Sequence, residues 1–142
     1  MSQFFQFGPW VFSIDAAEAA ITAEPRPTQP LPVAAWAAFY GLKHLDDPRR
    51  SAAALIGPTS DGLDREYAMT TDLTNPVIVG QLLVEHQAAP LLIDGTHRLY
   101  RAWREKVPEL PAHLLTVEET LAVRHEVSLG PDGAITVAAY SV

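Results

Sequence analysis

The most informative part of the sequence runs Pro90-Leu-Leu-Ile-Asp-Gly-Thr-His-Arg-Leu-Tyr-Arg-Ala-Trp103. Its first four residues form a short apolar run, which is typical of a buried strand. From Thr96 to about Lys106, apolar residues recur every three or four positions, which indicates a helix. Gly95 stands at the junction and permits a tight backbone path between the two. The stretch therefore predicts a strand, a sharp turn and a helix.

The residues around this unit predict a regular second half of the chain. Asn75-Pro76 marks a turn, and the next eight residues are rich in β-branched side chains, which favours a strand. Thr116-Val-Glu-Glu119 has the spacing of a capping box and predicts a helix that continues to about His125. The other predicted elements are a strand over 77–84, a polar loop over Glu85–Ala89, a strand over Leu110–Leu115, and two closing strands, Glu126–Leu129 and Ala134–Tyr140, around a turn at Gly130–Gly133.

The first half of the chain has weaker patterns. Residues 4–14 predict one or two short strands, and Asp15–Ala23 predicts a helix capped by Ser13 or Asp15. Four prolines in residues 25–32 exclude a regular helix there and favour a polyproline-like segment lying on the domain, or else a linker. The other predicted features are a buried helix over Val33–Tyr40 ended by Gly41, and a polar region over 43–66 interrupted by the apolar run Ala52–Ile56.

These elements predict an α+β fold, with a mixed sheet flanked by helices, in a single domain over residues 1–142. The chain has a net charge of −7 and no cysteine, which excludes disulfides, thiolate metal sites and thiol catalysis. The net negative charge also argues against a protein whose whole surface binds nucleic acid. The start of the chain does not resemble a signal peptide, and the apolar stretch Leu31–Leu42 is too short to cross a bilayer. We therefore expect a soluble, cytoplasmic protein.

The predicted turn at Asp94–Arg98 has the chemistry of an anion site. The start of a helix directs several backbone N–H groups outward and carries the positive end of the helix dipole. Thr96 adds a hydroxyl group and Arg98 a planar cation suited to phosphate oxygens. The alternative is purely structural: Asp94 caps the helix, Gly95 makes the turn, and the cations of the helix form an ordinary solvated face.

The helix that follows has two distinct faces. Apolar residues at helical spacing are expected to pack inward, and cationic residues fall on another face. The inward set is Leu99, Ala102, Trp103 and Val107, and the cationic set is His97, Arg98, Arg101 and Arg104. We expect the second set to form a local positive patch, which would attract anions to an otherwise acidic protein.

The motif Ile-Asp-Gly-Thr-His-Arg98, together with Glu109-Leu-Pro-Ala-His-Leu-Leu115, resembles the ParB/sulfiredoxin superfamily. The resemblance covers about residues 76–116, and residues 1–75 would be a family-specific extension. In that superfamily the matching loop typically binds nucleotide phosphates: partition proteins use CTP, sulfiredoxins use ATP, and relatives include free-serine kinases and nucleases. The resemblance implies nucleotide contacts from the loop and the helix behind it, and a role for Asp94 in steadying the loop or orienting a metal. The implied nucleotide-binding residues are Gly95, Thr96, His97, Arg98 and Arg101, and the implied catalytic residues are His97 and Asp94.

Departures from the family pattern reduce the number of activities expected from the resemblance. Thr96 stands where sulfiredoxin-like proteins have a reactive cysteine, which excludes sulfinic-acid repair. Partition proteins have a Glu-Arg-Arg-type loop followed by DNA-binding and dimerisation domains, so we expect a stand-alone member closer to the kinase-like relatives. Such enzymes need an acidic base elsewhere in the chain. The candidates for that base are Asp15, Glu18, Glu66 and Asp72, and no motif selects among them.

A histidine metal site is not expected. No two of the five histidines have the close spacing of a zinc site on a helix, and there is no His-Glu-x-x-His motif. Magnesium carried by a nucleotide needs few protein ligands and stays compatible with the sequence. The histidines are His44, His86, His97, His113 and His125.

The leading hypothesis is therefore a domain that binds ATP or CTP with Mg²⁺ and hydrolyses it or transfers its phosphate. The first alternative is a non-catalytic interaction or regulatory module of the same fold, and the second is a ParB-like nuclease. The expected partners are a nucleotide and either a protein partner or a second copy of the chain. We expect weak or no binding to nucleic acid, and none to a membrane.

Overall fold

The computed structural model describes residues 4–7, 10–42, 65–129 and 135–139. The predicted turn at Gly130–Gly133, the apolar run Ala52–Ile56 and His44 lie outside the described residues. The fold class is α+β, as predicted, and the described strands form two four-stranded sheets, one antiparallel and one mixed. The described elements are β1 (Phe4–Phe7), β2 (Trp10–Ser13), α1 (Ile14–Ala23), β3 (Gln29–Pro32), α2 (Val33–Phe39), α3 (Arg65–Ala68), β4 (Val77–Val84), β5 (Gln87–Asp94), α4 (Thr96–Arg104), β6 (Glu109–Leu114), α5 (Val117–Ala122), β7 (Arg124–Leu129) and β8 (Ile135–Ala139).

The chain divides into two compact units, and the first comprises Met1–Arg26, Ile78–Asp94 and Leu114–Val142. It contains an antiparallel sheet with the strand order β1-β2-β7-β8, as well as the hairpin of β4 and β5. Its core contains a cluster of buried side chains, which stabilises the unit by removing apolar surface from water. The cluster consists of Phe5, Phe12, Ile14, Ala17, Ile78, Leu91, Ile93, Leu115 and Val123.

The second unit comprises Pro27–Val77 and Gly95–His113. Strands β3 and β6 pair antiparallel in it, and helix α4 packs against both α2 and α3. Leu99 and Ala102 of α4 are fully buried, as the predicted inward face requires, and Tyr100 is buried beside them. Trp103 and Val107, which were also predicted to pack inward, are half-buried.

The capping predictions are confirmed at two helices. The Ser13 hydroxyl accepts a hydrogen bond from the amide of Ala16 at the start of α1. At α5, the Thr116 hydroxyl accepts from the amide of Glu119 at 3.0 Å, and the Glu119 carboxylate accepts from the amide of Thr116 at 2.9 Å. Each side chain therefore satisfies an amide that the helix itself leaves without an acceptor.

Several predicted boundaries are wrong. The loop predicted over Glu85–Ala89 is a two-residue turn, Glu85-His86, and β5 already begins at Gln87. The last residues of the proline-rich segment form β3, because a strand paired on one side tolerates proline. Helix α5 ends at Ala122 rather than near His125, because the chain joins β7 from Arg124.

Helix α2 was predicted to be buried on nearly all sides, but it is buried on one face only. Val33 and Ala37 are buried in it, whereas Phe39 is 58% exposed. Its predicted end is confirmed: Tyr40 is the C-cap, and Gly41 follows with a φ of +70°, in the left-handed region that favours glycine.

None of the helices within the described residues is both long and apolar enough to cross a membrane.

Candidate functional site

Gly95 is the N-cap of α4, and its backbone adopts a conformation that favours glycine. Its φ is +120°, outside the range that other residues readily adopt. A Cβ atom added there would overlap Cγ1 of Val77 and lie 2.7 Å from Cβ of Val77. The turn therefore needs glycine for two reasons, one conformational and one steric. Asp94, which was considered as a cap for this helix, is the last residue of β5, paired in register with Ile78.

Thr96, His97 and Arg98 form the first turn of α4, and all three are half-buried. The amide of Leu99 donates to the carbonyl of Gly95 at 2.8 Å, which is the first bond of the helical ladder. The positive end of the helix dipole therefore lies at this turn. Because Gly95 has no side chain, it contributes no capping group at this end. This is the arrangement that binds anions at the start of a helix.

His97 packs against an aromatic residue from a neighbouring helix. The ring of Tyr67, in α3, meets the imidazole edge-on, with ring centroids 5.0 Å apart and planes at 80°. The Tyr67 side chain is itself 57% exposed. The sequence contains no local signal for this contact, because the two residues lie 30 positions apart.

Arg98 bonds to the segment that precedes β4. One nitrogen of its guanidinium group, Nη1, donates to the carbonyl of Asn75 at 3.0 Å and to that of Pro76 at 2.8 Å. Both acceptors are neutral carbonyls, so these two bonds leave the positive charge of Arg98 in place. Arg98 therefore fixes the Asn75–Pro76 turn and still contributes positive charge next to the start of α4.

Arg101 is also held by the rest of its unit. Its Nη1 donates to the carbonyl of Thr71, and its Nε donates to the Glu105 carboxylate at 2.8 Å. Because Glu105 neutralises part of its charge, Arg101 adds less to the expected positive patch than the sequence suggested. Arg104 lies on the exposed part of the same helix.

The carboxylate of Asp72 experiences the positive charges of Arg101 and Arg98. Its oxygen accepts from the amide of Thr74 at 2.9 Å and from the Thr74 hydroxyl at 2.6 Å. These two hydrogen bonds hold the pKa of Asp72 below its ordinary value, and the positive charges of Arg101 and Arg98 lower it further. Asp72 is therefore an anion at neutral pH, tied into its own loop.

The other candidate carboxylates have different positions. Asp15 and Glu18 are exposed residues of α1, in the first unit, whereas Glu66 is an exposed residue of α3, in the second. No group of three or more acidic or histidine side chains within the described part of the chain is arranged to hold a metal ion.

No protein-family model, no curated protein and no solved structure matches this chain. The resemblance of residues 76–116 to the ParB/sulfiredoxin superfamily stays a prediction.

Proposed function

We propose that the turn Gly95–Arg98 binds a phosphate group of a nucleoside triphosphate. The observation that supports this most directly is the start of α4 at Gly95, where the N-cap residue has no side chain and the positive end of the helix dipole lies. The hydroxyl of Thr96 and the imidazole of His97 lie in the same turn, and the charge of Arg98 lies beside it. Nucleotides with Mg²⁺, ATP or CTP above all, are the proposed ligands.

The proposed chemistry is hydrolysis of the nucleotide or transfer of its terminal phosphate. In such reactions the protein acts mainly by holding the phosphates and stabilising their negative charge. The first-turn amides and Arg98 would supply that stabilisation. His97 is the proposed phosphate ligand or acid–base group, and Asp94 is proposed to steady the loop or to orient the metal. Asp72 is a further candidate carboxylate, whose pKa is lowered by its hydrogen bonds to Thr74 and also by the charges of Arg101 and Arg98.

Calorimetric titration with ATP, CTP and GTP in the presence of Mg²⁺ tests the binding step. We expect saturable binding of at least one nucleotide, and a loss of about tenfold or more in affinity for Thr96→Glu, because a carboxylate there repels phosphate. A negative side chain in the first turn is compatible with the helix dipole, so the variant should stay folded.

A matched control separates this local effect from a change in net charge. Gln87→Glu adds the same negative charge at an exposed position of β5, in the other unit. It should bind nucleotide as the parent chain does. Equal affinity of the parent chain and Thr96→Glu would contradict the proposal, as would the absence of binding to all three nucleotides.

A second candidate is a non-catalytic module that keeps the turn without the reaction. The bonds of Arg98 and Arg101 to the carbonyls of Asn75, Pro76 and Thr71 favour it, because these cations have a structural task. The enzyme and the non-catalytic module differ in whether they release phosphate from the bound nucleotide. Phosphate release that disappears in His97→Ala supports the enzyme, whereas binding without release supports the module.

A further inference from the structure

A cavity of about 440 Å³ lies at the opposite end of α4 from the turn at Gly95. Its apolar wall is formed by the indole of Trp103 and by aliphatic side chains from the start of α2 and the segment before β6. A hydrogen bond of 3.0 Å from the amide of Val33 to the carbonyl of Pro108 joins these two segments. The residues that line the cavity include Val33, Trp103, Arg104, Lys106, Val107 and Pro108.

The charge of this cavity is of one sign. Arg104 and Lys106 both line it, and within the described residues no carboxylate does. The nearest acidic residue in sequence, Glu105, is engaged by Arg101 at 2.8 Å. These two cations would attract an anion to this place in a chain with a net charge of −7.

The backbone at Lys106 gives a second, independent observation. Helix α4 ends with the amide of Val107 bonded to the carbonyl of Ala102 at 2.8 Å, and the amide of Lys106 bonded to that of Trp103 at 3.2 Å. This is a Schellman motif, in which the residue at the position of Lys106 is usually glycine. Lys106 has a φ of +59°, so the chain keeps a side chain where glycine would be less strained. Such strain at a residue that lines a cavity points to a role for its side chain.

We infer that this cavity binds a small amphipathic carboxylate. The carboxylate group would lie between the guanidinium of Arg104 and the ammonium of Lys106, because guanidinium groups bind planar carboxylates with two parallel hydrogen bonds. The apolar body would pack on Trp103, Val107 and Val33. A cavity of this size falls within the range of small-molecule sites, which are mostly apolar with a few polar groups that fix orientation.

Titration with 4-phenylbutyrate, followed by the indole N–H signals in ¹H–¹⁵N NMR spectra, tests the inference. The chain has three tryptophans, and Trp103→Phe identifies the signal of Trp103. We expect a saturable shift of that signal, with the indole signals of Trp10 and Trp36 unmoved. The neutral amide of the same probe should bind about fivefold more weakly or worse, and acetate should give no shift.

Two variants separate ligand binding from folding. Lys106→Gly removes a cation and also relieves the left-handed backbone, so it should raise Tm by a few degrees while weakening the probe about fivefold or more. Arg104→Gln should weaken the probe without raising Tm, and Gln87→Glu should bind it as the parent chain does. Unchanged affinity in both cavity variants, equal affinity for the neutral amide, or no shift of the Trp103 signal would overturn the inference.

Discussion

Single residues at the start of α4 decide what the candidate site can do. Gly95 was predicted from the sequence, because a strand that turns directly into a helix needs a residue with a free backbone. The tasks of Arg98 and Arg101 were not predicted. Both bond to carbonyls more than 20 positions earlier in the chain, and local spacing carries no information on such contacts.

Gly95→Ala should destabilise the protein strongly. The new methyl group would overlap Val77, and the backbone would have to keep a φ of +120°. We expect the free energy of unfolding to fall by about 2 to 4 kcal/mol, measured by urea denaturation. In the double variant with Val77→Ala, the loss should be smaller than the sum of the two single losses, because the overlap is removed. A Gly95→Ala protein as stable as the parent would contradict this account of the turn.

At the scale of elements, the sequence predicted those with strong local signals. The capping box at Thr116 and the β-branched run of β4 are examples. The sequence did not predict elements that form only by pairing with another strand. Gln29–Pro32 is a strand only because β6 pairs with it, and a proline-rich segment does not predict that pairing. The two-residue turn between β4 and β5 was also not predicted, because Glu85-His86 lacks the glycine that normally marks such a turn.

The hairpin turn offers a stabilising change. Glu85 and His86 have φ values of +51° and +68°, the combination of a type I′ turn. Replacing them by Glu85→Asn and His86→Gly should raise the free energy of unfolding by about 1 to 2 kcal/mol, since Asn-Gly adopts this turn with less strain. Thermal denaturation measures the gain. The control His86→Ala keeps the strain and should give no increase, and an equal increase there would refute the explanation.

At the scale of the whole molecule, a bidentate ion pair affects how the stability of the protein depends on pH. The Arg26 guanidinium meets both oxygens of Glu119 at 2.5 and 2.8 Å and also donates to the carbonyl of Leu114 at 2.9 Å. The hydrogen bond from Arg26 lowers the pKa of Glu119 to about 2.

The net negative charge of the chain leads us to expect weak or no binding to duplex nucleic acid, which stays a prediction.

Acid unfolding should report this ion pair. Because the pKa of Glu119 is lower in the folded state, its contribution to stability is complete above about pH 4.5 and is lost as the pH falls toward 2. We expect Glu119→Gln to lose about 1 to 2 kcal/mol at pH 7, a value kept modest because water still reaches the pair. The gap to the parent should close near pH 2. The exposed neighbour Glu118→Gln should show neither effect, and a gap that is independent of pH would rule out the ion pair as its cause.

The backbone amide signals of residues 95–98 test phosphate binding at the turn most directly. In ¹H–¹⁵N NMR titrations with Mg²⁺ complexes of ATP, CTP and GTP, we expect the amides of Thr96 and His97 to shift saturably with at least one nucleotide. The same titration of Thr96→Glu should leave those amides unmoved while the spectrum stays that of a folded protein. If none of these amides moves with any of the three nucleotides, the turn at Gly95 serves the fold alone and the proposed function is wrong.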